Sequence, residues 1–377
     1  PMSNRSRVAT TAAATLIAAA VPLAPAVLVP AGAQSAACAT TAFVAAAGES
    51  AVTTIDAQTR ATSWPGNDIA LPVGSLPNGV AITPDGTTAF VVLTGTDQVA
   101  TVDVATRAMT GTIDVGNAPQ DIAITPDGST AFVTNASDNS VSVIDVASRT
   151  KEPTDLMVSP GPLGLAITPD GATVFVANFG FDTVSTIDVA TRIVAPDDIL
   201  VGPDPTDVAI TPDGSTALVT NRNGSDPIPD PGKTGSVTTI DVATRTADPT
   251  DIGGLERPAG IAVTADGTTA YVASFGGGHV STIDLATRTV DPDDIPVGDS
   301  PFDVERSPDG TQMWVANLDS GSVSTIDVAT RTVDPTAIGT AGGPSGIAFT
   351  PCPTPTPSST TTSTTAPVPA VTPAFTG

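Results

Sequence analysis

The chain is poor in the residues that most often carry chemistry. Among 377 residues it has one histidine, two cysteines and only 3% aromatic residues. We therefore do not expect the one histidine to make a haem or zinc site of the common kinds. Lys and Arg number 14 against 39 Asp and Glu, which gives a net charge of -25 at pH 7. Nucleic acid and anionic membrane surfaces repel such a chain, so we expect neither as a partner.

The interior must be built mainly from Val, Ile, Ala and Leu, because hydrophobic residues make up 40% of the chain while aromatics are scarce. Proline and glycine are plentiful, at 36 and 34 residues. That content suits a protein with many tight turns better than a helical one.

The N-terminus has the pattern of an export signal. Arg5 and Arg7 precede an apolar run over residues 12–29, and residues 31–33 read Ala-Gly-Ala, a small-residue cleavage site. An uncleaved membrane anchor is the alternative, but prolines within the run favour cleavage. We expect residues 1–33 to be removed, which leaves no integral membrane segment in the mature chain.

Two short strings recur in step along the rest of the chain. One is the turn TPDG or a close variant; its first residues are Thr83, Thr125, Thr168, Thr211, Thr264 and Ser307. The other is IDVATR or a close variant; its Asp residues are Asp56, Asp103, Asp145, Asp188, Asp241, Asp284 and Asp327. The usual spacing is 43 residues, with one clear insertion, and a period of this length indicates a propeller or a solenoid.

Each period reads as four short strands. Residues 121–125, 131–135 and 140–144 form three alternating runs separated by tight turns, and a weaker fourth strand precedes the next period. The Asp of IDVATR is placed to bind the backbone two residues ahead. We therefore expect an all-β fold, a seven-bladed β-propeller of four-stranded antiparallel blades over residues 34–352. A parallel β-helix is the competing fold, but it has no reason to join its two ends.

The two ends of the repeat region complement each other. The last period breaks off at Cys352, at the turn position that Asp127 occupies in its own period, and Cys38 falls at the same position before the first strand. We expect the N- and C-terminal strands to share one blade, with a Cys38–Cys352 disulfide across the cut turn. Two free thiols, or lipid attachment at Cys38, are the alternatives.

The second strands of the periods carry a family motif. They read AFVTN, VFVAN, ALVTN, AYVAS and MWVAN, at residues 131–135, 174–178, 217–221, 270–274 and 313–317. Together with TPDG and IDVATR they resemble the YVTN-type β-propeller repeat family, which implies an exported bacterial surface propeller. The resemblance covers residues 38–352 and predicts the fold, but the motif consists of turn and core residues and implies no single activity. The aromatic at the second motif position is expected to pack blade against blade.

A ligand site is expected where each innermost strand begins. A proline recurs there, and two residues later Gly and Asp alternate from period to period. Asp121, Asp207 and Asp303 would then surround the mouth of the central channel, where carboxylate oxygens suit Ca²⁺ or Mg²⁺. The alternative is that each Asp caps its own turn and the alternation is left from duplication of a two-blade unit.

Two further features could contribute to such a site. The insertion over residues 223–235 carries Asp226 and Asp230 and could overhang the channel. The lone histidine, His279, follows three glycines in a loop, where it could act as a general base or simply lie exposed.

From residue 353 the chain is rich in Pro, Thr and Ser, which predicts a disordered tail over residues 353–377. With the export signal, the tail indicates a secreted monomer, held at the cell wall or surface. We expect an extracellular binding or scaffold propeller without catalytic activity, whose ligand is a protein, a glycan or a small molecule, and no cofactor beyond a channel Ca²⁺ or Mg²⁺. The alternative is a propeller enzyme, a lactonase-like hydrolase or a lyase with a channel-bound divalent cation and His279 as its base.

Overall fold

The structure is a computed structural model that describes residues 40–223 and 235–352. The chain divides into two compact units, residues 1–37 and 38–377, and every described residue belongs to the second unit. The predicted export signal, the predicted tail, Cys38, Asp226 and Asp230 all lie outside the described residues, so these predictions are left open here.

Seven antiparallel sheets form the blades, which confirms the predicted fold. The innermost strands, in chain order, are Pro77–Ile82, Pro119–Ile124, Pro162–Ile167, Pro205–Ile210, Pro258–Val263, Pro301–Arg306 and Pro344–Phe349. The second strands are Thr41–Ala46, Thr88–Leu93, Thr130–Asn135, Thr173–Asn178, Thr216–Asn221, Thr269–Ser274 and Gln312–Asn317. The third strands are Ala51–Asp56, Gln98–Asp103, Ser140–Asp145, Thr183–Asp188, Gly235–Asp241, His279–Asp284 and Ser322–Asp327.

The outer strand is continuous in one blade, as Ala108–Asp114, and interrupted in the others. In one of these it consists of Ile69–Ala70 and an isolated bridge between Thr62 and Ile55. The divided ones are Thr150–Lys151 with Leu156–Met157, Ile193–Val194 with Ile199–Leu200, Thr246–Ala247 with Ile252–Leu255, Thr289–Val290 with Ile295–Pro296, and Thr332–Val333 with Ile338–Gly339. A single turn of 3₁₀-helix, Ala47–Glu49, is the one described helical element. The described part of the chain therefore contains no helix that could cross a membrane.

Blade 1 is assembled from both ends of the chain, as predicted. Its innermost strand is Pro344–Phe349, which pairs with Thr41–Ala46, and blades 2 to 7 follow in chain order over residues 77–339. Thr350 and Thr41 continue the pairing beyond the strands: the Thr350 amide donates to the Thr41 carbonyl at 2.9 Å, and the Thr41 amide donates to Thr350 Oγ1 at 2.9 Å. The two ends of the repeat region thus lie side by side and complete the ring.

The TPDG turns have the predicted geometry. In the first copy the Gly86 amide donates to the Thr83 carbonyl at 2.7 Å, and Gly86 has φ +71°, a left-handed conformation that glycine adopts without strain. In the IDVATR turns the Asp accepts from the backbone amide three residues ahead, and Asp56 also accepts from the amide of Gln58, two residues ahead as predicted, at 3.1 Å. Asp145 Oδ1 accepts from the backbone amide of Ser148, three residues ahead, at 2.7 Å.

The second-strand aromatics pack between neighbouring blades, as expected. Phe90 of blade 2 is fully buried against Ile122 and Val133 of blade 3, and Phe132 repeats the contact one blade further on, against Leu165. Burial of such a side chain is worth about 1.5–3 kcal/mol in general. The blades are therefore held to each other mainly by apolar contact.

The arginines of the IDVATR turns also join blades. Four of these arginines form an ion pair with an acidic residue near the outer strand of the preceding blade. They do not pair with the Asp of their own turn. The pairs are Arg192–Glu152, Arg288–Asp248, Arg331–Asp291 and Arg60–Asp334. Arg60 belongs to blade 1 and Asp334 to blade 7, so the same type of ion pair spans the point of ring closure.

Deleting residues 344–377 should abolish the cooperative fold, because it removes the innermost strand of blade 1 and with it Ile347, which packs against Val44 and Trp314. Deleting only residues 353–377 keeps every described strand and is the matched control. Urea unfolding followed by circular dichroism measures both. A cooperative transition of unchanged midpoint in the longer deletion would contradict this account of ring closure.

Candidate functional site

A cavity of about 300 Å³ occupies the centre of the ring. All seven innermost strands contribute to its wall, together with Arg222, which directly follows the second strand of blade 5. Each innermost strand has an irregularity in its pairing near its third residue. Irregularities of this kind redirect side chains, and they are common beside active sites.

The alternation of Gly and Asp at the third residue of each innermost strand has a steric cause. A Cβ atom added to Gly164 would lie 2.6 Å from Asp207 Oδ1 and 2.7 Å from Asp207 Cα. Gly79 and Gly260 stand in the same relation to Asp121 and Asp303, with distances of 2.7–2.8 Å to the nearest atoms. The strands are too close for a side chain in every blade. Close packing explains the alternation without any appeal to duplication of a two-blade unit.

Each of these Asp side chains ties its own blade to the next one. Asp121 Oδ1 accepts from the Ile122 amide at 2.8 Å, and its Oδ2 accepts from the Leu165 amide of blade 4 at 3.1 Å. Asp207 does the same with the amides of Val208 and Ile261. Both oxygens of each carboxylate are thus engaged with the backbone.

Asp303 completes the set, since its Oδ2 accepts from the Ile347 amide of blade 1 at 2.8 Å. The structure therefore brings Asp121, Asp207 and Asp303 to the channel, as the sequence predicts. Within residues 40–223 and 235–352, however, no group of three or more Asp, Glu, His or Cys side chains is placed to hold a metal ion. The cation site predicted on these three residues gains no support from their geometry, because their oxygens serve backbone amides.

Glu305 is a fourth channel carboxylate, and the sequence reasoning missed it. It lies two residues after Asp303 on the innermost strand of blade 7 and lines the cavity. The equivalent residues of the other six blades are all alanine: Ala81, Ala123, Ala166, Ala209, Ala262 and Ala348. No described residue forms a hydrogen bond or ion pair with the Glu305 carboxylate. Alignment of the seven innermost strands would have revealed this one departure from alanine.

The channel raises the pKa of all four carboxyl groups. Burial is the main cause, and mutual repulsion adds to it for Asp207, Asp303 and Glu305. The pKa of Asp121 rises to about 6, that of Asp303 to about 7 and that of Glu305 to about 8, while the pKa of Asp207 is also raised well above its ordinary value. Carboxyl groups with a pKa near neutrality can exchange protons with a substrate under physiological conditions.

Two arginines lie beside the mouth of the cavity. The guanidinium carbon of Arg222 is 4.6 Å from the ring centroid of Phe275, and that of Arg257 is 5.4 Å from the same centroid. Phe275 in turn meets Phe302 edge to face, with centroids 6.1 Å apart, and Phe302 lines the cavity. The sequence gives little sign of this cluster, because its members come from three different blades and from loops outside the repeated strings.

His279 is not part of the channel. It opens the third strand of blade 6, two strands away from the axis, and it does not line the cavity. Its Nδ1 is 3.1 Å from the Gly277 carbonyl oxygen, and its Nε2 is 3.5 Å from Asp294 Oδ2. The structure therefore does not bring His279 together with Asp121, Asp207 and Asp303, and a mechanism that uses it as their partner base has no geometric basis.

Comparison with protein families finds one match. Residues 44–229 match the model of the YNCE-like beta-propeller family. Comparison with curated protein sequences finds no significant match. The family match supports a β-propeller family for this chain, while the narrower YVTN assignment stays a prediction.

Solved structures of similar shape include several named as enzymes. Hydrazine synthase of Kuenenia stuttgartiensis is 26% identical with a TM-score of 0.67, over 76% of this chain and 92% of that one. A putative 6-phosphogluconolactonase of Bacteroides fragilis is 16% identical with a TM-score of 0.68, over 84% and 99%. The dihydro-heme d1 dehydrogenase NirN is 14% identical with a TM-score of 0.59, over 82% and 74%.

These comparisons contradict the expectation of a binding or scaffold propeller without catalytic activity, because the similar propellers bear the names of enzymes. They agree better with the alternative of a propeller enzyme. Likeness below 25% identity shows the fold alone, so the reaction has to be argued from the channel itself. The chain is a seven-bladed β-propeller.

Proposed function

We propose that the protein is a lactonase-like hydrolase that opens a small lactone in the central channel. The observation that carries this proposal is Glu305, a carboxyl group with a raised pKa and no partner among the described residues, in the wall of the central cavity. A cavity of about 300 Å³ is at the small end of the usual range for ligand sites, which suits a monosaccharide-sized substrate. The names of two similar structures, both putative 6-phosphogluconolactonases, support a sugar lactone as the substrate class.

Hydrolysis of a lactone needs one group that can take a proton and return it. In the proposed reaction the ionised Glu305 carboxylate accepts a proton from a water molecule as the water oxygen attacks the lactone carbonyl carbon. When the tetrahedral intermediate collapses, the bond between the carbonyl carbon and the ring oxygen breaks. Glu305 then returns its proton to the ring oxygen, so the product is a hydroxy acid and the enzyme is regenerated.

The three Asp residues serve this reaction as positioning residues. Their hydrogen bonds to backbone amides fix the innermost strands around the cavity. Their charges keep the pKa of Glu305 high: Asp303 has the largest such effect, and Asp207 and Asp121 add to it. A base with a pKa near the working pH is both present in its ionised form and basic enough to take a proton.

The proposal also includes two predictions from the sequence, export of the protein and a disulfide. We propose that the enzyme acts outside the cytoplasm after removal of residues 1–33 and that a Cys38–Cys352 disulfide closes the cut turn of blade 1. The proximity of Thr41 and Thr350 supports the bridge, since Cys38 precedes Thr41 by three positions and Cys352 follows Thr350 by two.

Replacement of Glu305 should abolish hydrolysis without unfolding the ring. Glu305→Gln keeps the size of the side chain, and Glu305→Ala installs the residue of the other six blades, so both variants should fold. We expect kcat/KM on the best substrate of a sugar-lactone panel to fall at least ~100-fold in both, the usual scale for loss of a general base. Glu49→Gln, at an exposed position outside the cavity, is the matched control.

In the wild type, kcat/KM should rise with pH, reach about half of its plateau near pH 8 and level off near pH ~9, following ionisation of the coupled pair Asp303 and Glu305. Full activity of Glu305→Gln would overturn the assignment of the base. Absence of hydrolysis across the panel in the wild type would overturn the proposed reaction.

The stability of the fold should fall as the pH rises from about 5 to 8. The ordinary pKa of Glu305 is 4.5 and its folded value about 8, so between these values the folded state holds a proton that the unfolded chain has released. Raising the pH through this window removes that proton and destabilises the fold, and the raised pKa values of Asp121 and Asp303 act in the same direction. Melting temperatures measured between pH 5 and pH 8.5 should decline less in Glu305→Ala than in the wild type; identical slopes would contradict a raised pKa at Glu305.

Removal of divalent cations should leave the melting temperature unchanged, because both oxygens of Asp121 and of Asp207 already accept backbone hydrogen bonds. Thermal unfolding with EDTA, against EDTA saturated with Ca²⁺ at equal ionic strength, provides the comparison. A lower melting temperature that Ca²⁺ or Mg²⁺ restores would instead establish the cation site predicted from the sequence.

A further inference from the structure

The cluster of Arg222, Arg257 and Phe275 has two positive charges, and none of the carboxylates in residues 40–223 and 235–352 forms an ion pair with either arginine. Neither arginine forms an ion pair or a side-chain hydrogen bond with any described residue, and the Nε atom of each is buried without a hydrogen-bond partner. Four of the turn arginines, Arg60, Arg192, Arg288 and Arg331, are by contrast paired with Asp or Glu, although the Nε atom of Arg331 is also buried without a hydrogen-bond partner. Unpaired buried donors are rare in folded proteins, because each one costs about 1–3 kcal/mol.

The two guanidinium groups also oppose each other electrostatically. Burial lowers the pKa of Arg222, the nearby charge of Arg257 lowers it further, and only Asp204 acts in the opposite direction. The stacking on Phe275 compensates in part, since a cation over an aromatic face is worth about 0.5–2 kcal/mol. An arrangement of two stacked, mutually repelling and unpaired arginines is well suited to a ligand that brings two negative charges.

We propose that Arg222 and Arg257 form a subsite for a phosphate monoester, so that the substrate is a phosphorylated sugar lactone. This inference rests on the proposed hydrolase function and adds the substrate class to it. A phosphate monoester carries about −1.5 to −2 charges near neutral pH, which matches two guanidinium groups, whereas a single carboxylate would leave one of them unbalanced. Guanidinium groups bind phosphate oxygens through two parallel hydrogen bonds, and an unpartnered Nε is one of the donors used for this.

The charge distribution of the cavity would orient such a substrate. Arg222 shares the wall of the cavity with Asp121, Asp207, Asp303 and Glu305. The carboxylates repel an anionic group from the interior, and the arginines attract it at the mouth. A phosphate bound at Arg222 and Arg257 therefore directs the uncharged lactone ring inward, toward Glu305.

Because the whole protein is negatively charged, an anionic ligand needs a local pair of positive charges in order to bind. At −25 the chain repels anions at long range. An anionic ligand that binds such a protein needs a concentrated positive site. The cavity mouth, where two arginines lie against the same phenylalanine ring, is such a site.

Isothermal titration of the full-length protein tests the subsite separately from catalysis. The probes are inorganic phosphate, 6-phosphogluconate and gluconate, of which the last two are a sugar acid with and without a phosphate group. We expect 6-phosphogluconate to bind at least 10-fold more tightly than gluconate, and inorganic phosphate to compete with it. Arg222→Gln and Arg257→Gln should each weaken 6-phosphogluconate binding at least 10-fold.

Two control variants make the outcome specific. Arg245→Gln removes an equal charge from an exposed turn of blade 5 and should leave binding unchanged. Glu305→Gln should keep phosphate binding while it loses hydrolysis, so failure of the proposed reaction and failure of the phosphate subsite give different results. Equal affinity for 6-phosphogluconate and gluconate, or an equal loss in Arg245→Gln and Arg222→Gln, would overturn the subsite.

Discussion

The closeness of the seven innermost strands at the axis is the constraint on which the rest of the site depends. A propeller of this size leaves room around its axis for a side chain in only some of the blades. Where Asp207 projects, the neighbouring blade must present Gly164, because any Cβ atom there would overlap the carboxylate. The same closeness lets Asp207 reach the Ile261 amide of the next blade, so that one side chain both fills the space and links the blades.

Crowding of carboxylates has an electrostatic consequence. Asp121, Asp207, Asp303 and Glu305 share one small cavity in which few water molecules can solvate their charges. Burial raises the pKa of each of these carboxyl groups, and mutual repulsion raises it further for Asp207, Asp303 and Glu305. The proposed role of Glu305 in proton transfer depends on this crowded environment, since Glu305 forms no hydrogen bond or ion pair with the described residues.

The fold could be predicted almost completely from the sequence, because its signals are local and repeated. TPDG marks a turn whose glycine needs a left-handed conformation, as Gly86 shows, and seven copies of IDVATR fix the number of blades. The positions of Asp121, Asp207 and Asp303 at the channel followed from the same register. The hydrogen bond of the turn Asp to the amide two residues ahead is present at Asp56, whereas Asp145 binds the amide three residues ahead, since Asx geometry can engage either amide and the sequence does not distinguish the two cases.

The chemistry of the site was harder to predict, because it lies in departures from the repeat. Glu305 stands where six blades have alanine, and it becomes visible only when the innermost strands are compared position by position. Arg222 and Arg257 belong to different blades, and only the three-dimensional ring brings both onto Phe275. His279 attracted attention as the lone histidine, yet its place on a third strand removes it from the axis. The expectation of a scaffold without activity was wrong for a related reason. It was based on the scarcity of histidine and other catalytic residue types, and it did not consider the positions at which one blade differs from the other six.

Seven is an odd number, so an alternating pattern cannot close on itself. Starting from Gly79, the ring runs through Asp121, Gly164, Asp207, Gly260 and Asp303 to Gly346, which then lies beside Gly79 again. At this one seam, between blades 1 and 2, two glycines adjoin, and a Cβ atom on Gly346 would lie 2.5 Å from the Asn78 carbonyl oxygen. Parity alone therefore places two glycines next to each other on one side of the channel and acids in the rest of its lining, so a nearly symmetric ring presents an asymmetric surface to whatever enters it.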